Sequence, residues 1–375
     1  MSISPKGIPA GGFAQAEFRG GFGGSSPNAS DPRGEAPTRN PFNRLQARGI
    51  RYGFLYFTPL REQTILGGVL PLSDEFGDTL FSADWDFNAG GVALLGRRAP
   101  LDYRLAYLRL IEGVGGTDAG SIGRDGDFFL ADVSTAFTKD LRGGLHAYYL
   151  TVAKGLPLGD TEEWWAGATL RGEGDPFDWN AFALLNVGQL GIGELDADGK
   201  VVSGFDRSDT HTGYAFKVEA ARSFAALRLS LQSLYSSGDS RDAKVKSRFV
   251  TPEGLFGTEG YWAYTHIFTA NGPSDVNDLG IELGNGGAGL VTVQGRASMP
   301  LHERVTGQLS AGWFQASRSR NGSRDMGTEV GGMTTIALAE GLHLDVGVAG
   351  AFLGEFFGPE TDDLFEVFTR FQFQY

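Results

Sequence analysis

The chain has 375 residues, no cysteine, a formal net charge of −13 and 57 glycines. The absence of cysteine excludes a disulfide framework and thiolate metal sites, and the acidic balance argues against nucleic acid as a partner. Mean hydropathy is −0.16, and no apolar run reaches the roughly 18 residues of a membrane-crossing helix. Strands remain open as membrane-crossing elements, because alternating strands average out in hydropathy.

Alternation of apolar and polar residues with a period of two recurs along most of the chain and predicts β-strands. No comparable stretch has helical periodicity. Taken in chain order, the predicted strands are 10–20, 43–58, 62–71, 80–96, 101–111, 127–138, 143–153, 162–170, 177–187, 212–221, 224–236, 288–298, 303–315, 326–338, 342–353 and 364–375.

The connections between these strands alternate between short and long. Seven are tight, and eight are longer polar segments, of which 237–287 is the longest. This pattern predicts about sixteen strands, within a range of about 14–18. Short turns on one side and long loops on the other are typical of an outer-membrane barrel with short periplasmic turns and long extracellular loops. A further strand at 261–269 would make the number of strands odd. We therefore assign this segment to the long loop, in a hairpin or an inward fold.

The last thirteen residues are the strongest indication of a membrane. Val367, Thr369 and Phe371 fall on one face of a strand, and Glu366 and Arg370 fall on the other. In water such a strand would be an aggregation hazard, whereas in a bilayer its apolar side faces lipid and its polar side faces a lumen. A soluble sandwich or propeller would also alternate, but its terminal strand would not be so aromatic.

We therefore predict an all-β fold, a single transmembrane antiparallel β-barrel over residues 1–375 in the bacterial outer membrane, in contact with lipid and lipopolysaccharide. The even strand number puts both termini on the periplasmic side and predicts that strand 364–375 closes against strand 10–20. Residues 1–7 lack the apolar stretch of a signal peptide, so we expect an exported form to have lost its signal.

The predicted lumen carries nearly balanced cations and anions. These charges either form ion-pair ladders that rigidify the wall, or line a path on which arginine binds carboxylate or phosphate groups. The candidate pore-lining residues are Arg171, Lys217, Glu219, Arg228, Arg304, Glu329 and Arg370.

Other candidate sites give weaker signals. The tryptophans fit an interfacial aromatic girdle, although Trp165, which points opposite Trp164, would also suit a sugar-stacking platform in the lumen. Asp196 and Asp198, followed by a glycine, resemble the start of a calcium loop and predict either a solvated acidic loop or a weak Ca²⁺ site. We expect no other cofactor. No catalytic constellation is present, so we predict that the protein is not an enzyme.

Three stretches carry a family resemblance. Residues 234–239 (Leu-Tyr-Ser-Ser-Gly-Asp), the aromatic run at 256–266 that follows, and residues 76–92 resemble the alginate-export family of outer-membrane barrels. The resemblance covers about residues 80–335. It implies export of an anionic polysaccharide through an arginine-lined pore gated by loops, with periplasmic export proteins as partners.

Two functions follow from these observations. The first is an outer-membrane pore or export channel for a polar solute or an exopolysaccharide, with the 237–287 loop as its constriction or gate, because unstructured loops of this length are usually functional. The second is a structural barrel that anchors or sheathes a partner protein, such as a cytochrome conduit or a surface adhesin.

Overall fold

The computed structural model describes residues 9–20, 45–83, 87, 89–111, 126–152, 161–174, 176–195, 201–239, 246–252, 261–269, 279–320, 322–359 and 361–373. Within these ranges, sixteen strands form one sheet in which each strand pairs antiparallel with the next one along the chain. None of the helices in these ranges is long and apolar enough to cross a membrane. The predicted fold class, all-β with sixteen antiparallel strands, is confirmed.

The strands are β1 (Ala10–Gly20), β2 (Leu45–Leu60), β3 (Gln63–Leu70), β4 (Ala89–Arg98), β5 (Leu101–Ile111), β6 (Gly126–Ala136), β7 (Leu141–Val152), β8 (Thr161–Gly172), β9 (Asp178–Leu195), β10 (Val201–Phe224), β11 (Leu227–Ser236), β12 (Val291–His302), β13 (Val305–Arg320), β14 (Ser323–Ala339), β15 (Leu342–Leu353) and β16 (Leu364–Phe373). The predicted first strand, 10–20, matches β1.

The two faces of the sheet differ as the alternation predicts. On β16, Phe365, Val367 and Phe371 are 76%, 79% and 67% exposed on the outer face, whereas Glu366 and Phe368 are buried on the inner face. A strand that presents large apolar side chains outward and polar side chains inward suits a lipid exterior and a polar interior. The predicted facing of the terminal strand is therefore confirmed over residues 366–372, which the structure describes.

Seven short turns join alternate pairs of strands, as predicted. Five of them hold two residues each, among them Ala225 with Ala226 and Glu340 with Gly341. Gly341 has φ of 71°, a left-handed conformation that glycine adopts without steric cost. These turns mark one rim of the sheet, which corresponds to the predicted periplasmic side.

The strand prediction is wrong in three regions. The strand expected at 80–96 begins only at Ala89, because residues 71–83 leave the sheet and pack on its inner face. Two of the eight long segments, 188–212 and 316–325, which separate predicted strands, are largely strand. β9 and β10 pair from Asp178 to Leu195, and β13 extends to Arg320. The ends of these strands are rich in polar residues, so the sequence pattern there predicted loops.

The predicted closure of the barrel is not among the observed ladders. The pairings of the described residues run from β1 to β16 in sequence order, without a ladder between β16 and β1. The interior is nevertheless filled, because the 71–83 and 261–269 segments lie between opposite parts of the wall. These two segments position the candidate site.

Candidate functional site

The 71–83 segment belongs to the β3–β4 connection and folds inward because its side chains are apolar at irregular spacing. Leu72, Phe76, Leu80 and Phe81 are all buried. The rings of Phe76 and Phe81 meet that of Tyr148 on β7 edge-on, at centroid distances of 5.7 and 5.6 Å. Such edge-to-face pairs add about 0.5–1.5 kcal/mol to the burial of the rings.

Asp74 holds the turn of this segment. Its carboxylate accepts hydrogen bonds from the backbone N–H groups of Phe76 (2.6 Å), Leu80 (2.5 Å) and Phe81 (2.9 Å). Burial raises the pKa of Asp74 to about 7, although these three donors favour the charged form and lower it. Because the donors come from one short loop, the side chain organises the segment from within.

The 261–269 segment lies in the β11–β12 connection and is held by the opposite part of the wall. Glu329 on β14 accepts hydrogen bonds from the backbone N–H groups of His266 (2.5 Å) and Phe268 (3.0 Å), and from that of Ile267 between them. The ring of Phe268 stacks on Phe314 of β13, with centroids 4.1 Å apart and planes at 8°. The predicted inward fold of the long loop is therefore present.

Two glutamines on neighbouring strands hold the beginning of the same segment. Gln232 donates to the carbonyl of Trp262 (3.0 Å), and Gln294 accepts from the backbone N–H of Tyr264 (2.7 Å). Gln232 also donates to Gln294 (3.1 Å), which fixes both side-chain amides. Buried amides that are paired in this way have little freedom to turn.

The two segments meet in the interior. The backbone N–H of Tyr261 donates to the carbonyl of Asp78 at 2.6 Å. Since the 71–83 segment packs on β6, β7 and β9, and the 261–269 segment packs on β11 to β16, this contact completes a bridge across the interior. The two segments are thus joined on the inner side of the sheet.

Charged side chains of β10 lie beside the bridge. Lys217 Nζ is 3.8 Å from Glu219 Oε2. Glu219 also accepts hydrogen bonds from the hydroxyl of Tyr264 and from Asn180 (3.2 Å). The guanidinium of Arg296 lies 4.2 Å from the centre of the Tyr264 ring, within the range of a cation–π contact. Burial, followed by the bond to Glu219, raises the pKa of the Tyr264 phenol.

A second polar network stiffens the wall under the 71–83 segment. Asp132 accepts from His146 (2.8 Å), Tyr148 (2.9 Å) and Arg104 (2.7 Å), and the other ring nitrogen of His146 lies 2.9 Å from the Thr169 hydroxyl. The residues come from β5 to β8, which are neighbours in the sheet. A network with every member bonded rigidifies its surroundings.

A polar cavity of about 450 Å³ lies between the 71–83 segment and the wall. That volume falls in the range of small-molecule sites. Both acidic and basic side chains line it, together with an amide and a hydroxyl: Asp74, Glu75, Asp78, Thr169, Arg171 and Asn180.

Solved structures with the same architecture come from two Gram-negative bacteria. OccK5 (OpdH) of Pseudomonas aeruginosa is 10% identical, with 99% of this chain and 89% of that chain aligned and a TM-score of 0.58. OccAB4 of Acinetobacter baumannii is 12% identical over 99% and 87%, with a TM-score of 0.57. OpdK of P. aeruginosa, solved with vanillate, is 11% identical over 98% and 87%, with a TM-score of 0.55. These proteins are outer-membrane porins.

The fold is that of an outer-membrane porin barrel. The predicted location in the bacterial outer membrane agrees with these neighbours. They support an outer-membrane barrel, but not the alginate-export family in particular. No protein-family profile matches the sequence, and no curated protein matches it.

On this porin fold, the predicted pore-lining residues do not form one site. Lys217 and Glu219 lie together beside the bridge, and Glu329 holds one of its segments. Arg171 donates to the carbonyl of Glu75 at 3.1 Å, on the wall of the cavity. For these four residues, the role in a pore stays a prediction.

The remaining predicted residues lie elsewhere. Arg370 pairs with Asp345 on the neighbouring strand at 2.9 Å, and Arg228 pairs with Asp178 at 3.1 Å near the short-turn rim. Arg304 is exposed in the β12–β13 turn. The first two therefore resemble the predicted ion-pair ladder, and Arg304 lies at the rim.

Two other expectations have clear outcomes. Trp164 and Trp165 do point to opposite faces, but Trp165 is fully buried and donates its indole N–H to the carbonyl of Val250 (2.8 Å). Its face is therefore not available as a sugar-stacking platform. Asp196 and Asp198 lie outside the described residues, and among the described residues no group of three potential metal ligands occurs.

Sequence reasoning missed several residues of the site. Three of them are amides that face inward: Gln232, Gln294 and Asn180. The alternation of their strands predicts the inward direction, but nothing in the sequence distinguishes them from other inward-facing polar residues. Asp74 falls between the predicted strands 62–71 and 80–96, and its role as an acceptor of three backbone N–H groups has no sequence signature.

Proposed function

We propose that the protein is an outer-membrane channel for small polar solutes, narrowed by the 71–83 and 261–269 segments. The observation that carries the proposal is the hydrogen bond between Tyr261 and Asp78, which joins the two segments across the interior. An obstruction of this kind restricts a polymer more than it restricts a small solute. The apolar outer face fits the predicted contact with lipid and lipopolysaccharide.

The cavity supports a solute path on one side of the bridge. Its lining offers donors and acceptors of both charges, namely Arg171, Asn180, Asp74 and Asp78. A lining of mixed charge favours solutes with several polar groups and binds none of them through charge alone. The vanillate in the OpdK structure is consistent with small polar cargo in neighbours of this fold.

The finer expectation, export of an exopolysaccharide with periplasmic partners, requires the bridge to open. Each end of the 261–269 segment is held by buried hydrogen bonds, through Gln232 and Gln294 at one end and Glu329 at the other. Displacing the segment would leave these polar groups without partners, at about 1–3 kcal/mol each. A polymer is therefore a less favoured cargo than a small solute.

A structural barrel is the second candidate, because large aromatic side chains fill much of the interior. Phe76, Phe81, Phe87, Trp262 and Phe268 are all buried there. A barrel filled in this way would conduct no solute and would serve as an anchor or sheath for a partner protein.

Uptake into proteoliposomes distinguishes these functions. Vesicles containing the protein should swell in isosmotic arabinose or glycine at rates above those of empty vesicles, and should not swell in an oligosaccharide of ten sugar units. Swelling in neither solution would overturn the channel and favour the structural barrel. Equal swelling in both would favour a polysaccharide path.

A further inference from the structure

A groove crosses the outer face of the barrel on strands β10 to β13. It has a volume of about 640 Å³. Its floor is formed by small side chains, and Leu229 and Leu309 rise on its sides. The floor residues are Ala220, Gly295, Ala297 and Ala311.

The strand register orders these residues into rows that run across the sheet. Arg222 lies opposite Leu229, Leu229 opposite Ala297, and Ala297 opposite Leu309. With neighbouring strands about 4.8 Å apart, the row spans about 14 Å. The groove therefore has a cation at one end and apolar walls along the rest of its length.

Arg222 is unusual on this face. It follows the outward parity of Val218 and Phe224, which are 56% and 48% exposed. Its guanidinium lies 5.4 Å from the centre of the Phe177 ring and 4.8 Å from that of Phe224. No ion pair of Arg222 occurs among the residues that the structure describes. The two rings orient the guanidinium and leave its N–H groups able to donate to an anion.

The level of Arg222 in the barrel indicates which anion this is. The residue lies two positions before Phe224, the last residue of β10, near the short-turn rim. At that level a barrel meets the headgroups of the periplasmic leaflet, where aromatic girdles are found. Phosphate oxygens accept bidentate hydrogen bonds from arginine, whereas acyl chains fit an apolar groove.

We propose that this groove binds one phospholipid of the periplasmic leaflet, with its phosphate on Arg222 and an acyl chain over Gly295 and Ala297. A phospholipid brings the anion and the apolar chain in a single molecule. A second copy of this chain would fill the site only if one of its carboxylates reached Arg222 and a row of its side chains packed into the groove. The proposal is independent of what the channel transports.

Two substitutions remove the two halves of the site. An added Cβ at Gly295 would meet nothing closer than the Ser230 carbonyl oxygen at 3.9 Å, so Gly295→Leu fills the groove without straining the wall. Arg222→Gln removes the cation. Gly90→Leu is the matched control, because Gly90 is on the outer face of β4, away from the groove, and has nothing within 4 Å of an added Cβ.

The test is native mass spectrometry of the full chain in detergent with added palmitoyl-oleoyl-phosphatidylglycerol. Wild type and Gly90→Leu should retain one lipid at collision energies that remove all others. Arg222→Gln should retain it about tenfold less, as loss of a charge-assisted hydrogen bond implies. Gly295→Leu should also retain it about tenfold less, because its side chain occupies the space of the acyl chain and removes that apolar contact. Ala297→Leu is the second filling variant if Gly295→Leu fails to fold by heat-modifiable mobility.

Equal retention by all four proteins would mean non-specific lipid only and would overturn the proposal. A dimer or trimer of the wild type that Gly295→Leu dissociates, with unchanged lipid retention, would assign the groove to contacts between copies and would also overturn it. Reduced retention in Arg222→Gln with full retention in Arg222→Lys would support a phosphate contact that depends on charge.

Discussion

Glu329 accepts a hydrogen bond from the backbone N–H of His266 at 2.5 Å, so a wall carboxylate fixes a segment 63 positions earlier in the chain. The same carboxylate accepts from the next two N–H groups. Three consecutive donors converging on one carboxylate hold the backbone as well as the side chains. Glu329 is thus the main support of the 261–269 segment.

Replacing Glu329 with glutamine should release this segment. The amide has one acceptor oxygen in place of two and turns N–H donors toward backbone N–H groups, and hydrogen bonds to charged groups contribute about 1.5–3 kcal/mol. Chymotrypsin should cleave between Tyr261 and Phe268 at least about tenfold faster. Glu340→Gln, the same change in an exposed turn, should leave the rate unchanged. Equal rates for both variants would mean that Glu329 does not hold the segment.

Acid should loosen the same segment through His266. Burial, with a contribution from Arg370, lowers the pKa of His266 to about 4 from an ordinary 6.5. A base whose folded pKa is lowered contributes stability that is present above the unfolded pKa and is lost as pH falls from about 6.5 to about 4, up to about 3 kcal/mol.

Cleavage by a protease active in acid should therefore accelerate between pH 6.5 and 4 in wild type. His266→Phe, which keeps a ring against Phe368 and cannot titrate, should remove most of that acceleration. Asp74 titrates in an overlapping range, so the comparison of the two proteins at each pH isolates His266. Identical profiles would rule out His266 as the titrating group.

Removing the cation beside the bridge should change ion selectivity. Lys217 is buried beside Glu219, and Asp74 and Asp78 act on it through their charges. Lys217→Gln leaves these carboxylates in excess, so the reversal potential in a KCl gradient should shift toward that of K⁺. Lys139→Gln removes a cation from an exposed turn and should not shift it. A shift of the same size in both variants would contradict a role for Lys217 in the passage.

Neighbouring positions on β13 test which face meets lipid. Leu309 is 68% exposed on the outer face, and Gln308 points inward. An arginine facing lipid costs about 2–4 kcal/mol at the bilayer midplane and about 0–1 kcal/mol near the interfaces. Because Leu309 lies four residues from the start of β13 at the short-turn rim, Leu309→Arg should lower the free energy of folding into lipid vesicles by an amount between these limits, measured by urea titration, and Gln308→Arg should change it little. The reverse order would invert the assignment of the two faces.

Most of the strands could be predicted from the sequence, because a strand with one apolar and one polar face alternates apolar and polar residues. The start of β4 could not, because residues 81–89 alternate between apolar and polar as in a strand, whereas the sheet takes up the chain only at Ala89. Phe81, Ala83 and Phe87 are buried inside the barrel, and period alone does not distinguish an interior segment from a wall strand.

The ion pairs of the wall were predicted as a class, but their partners were not. Arg370 and Asp345 are direct cross-strand neighbours, a relationship that depends on strand register, which a shift of one residue would abolish. The role of Glu329 required knowledge of where a distant loop returns. The alternation along β14 predicts that Glu329 faces inward. That it accepts hydrogen bonds from the N–H groups of residues 266–268 follows only from the fold.

A passage that the 261–269 segment narrows is the central feature of the proposed channel. Single-channel recording in planar lipid bilayers tests it most directly, on wild type and on a variant in which Gly-Ser linkers replace residues 261–269. We predict discrete conductance steps from wild type and steps several-fold larger from the variant. No conductance from either protein, or equal conductance from both, would contradict the account.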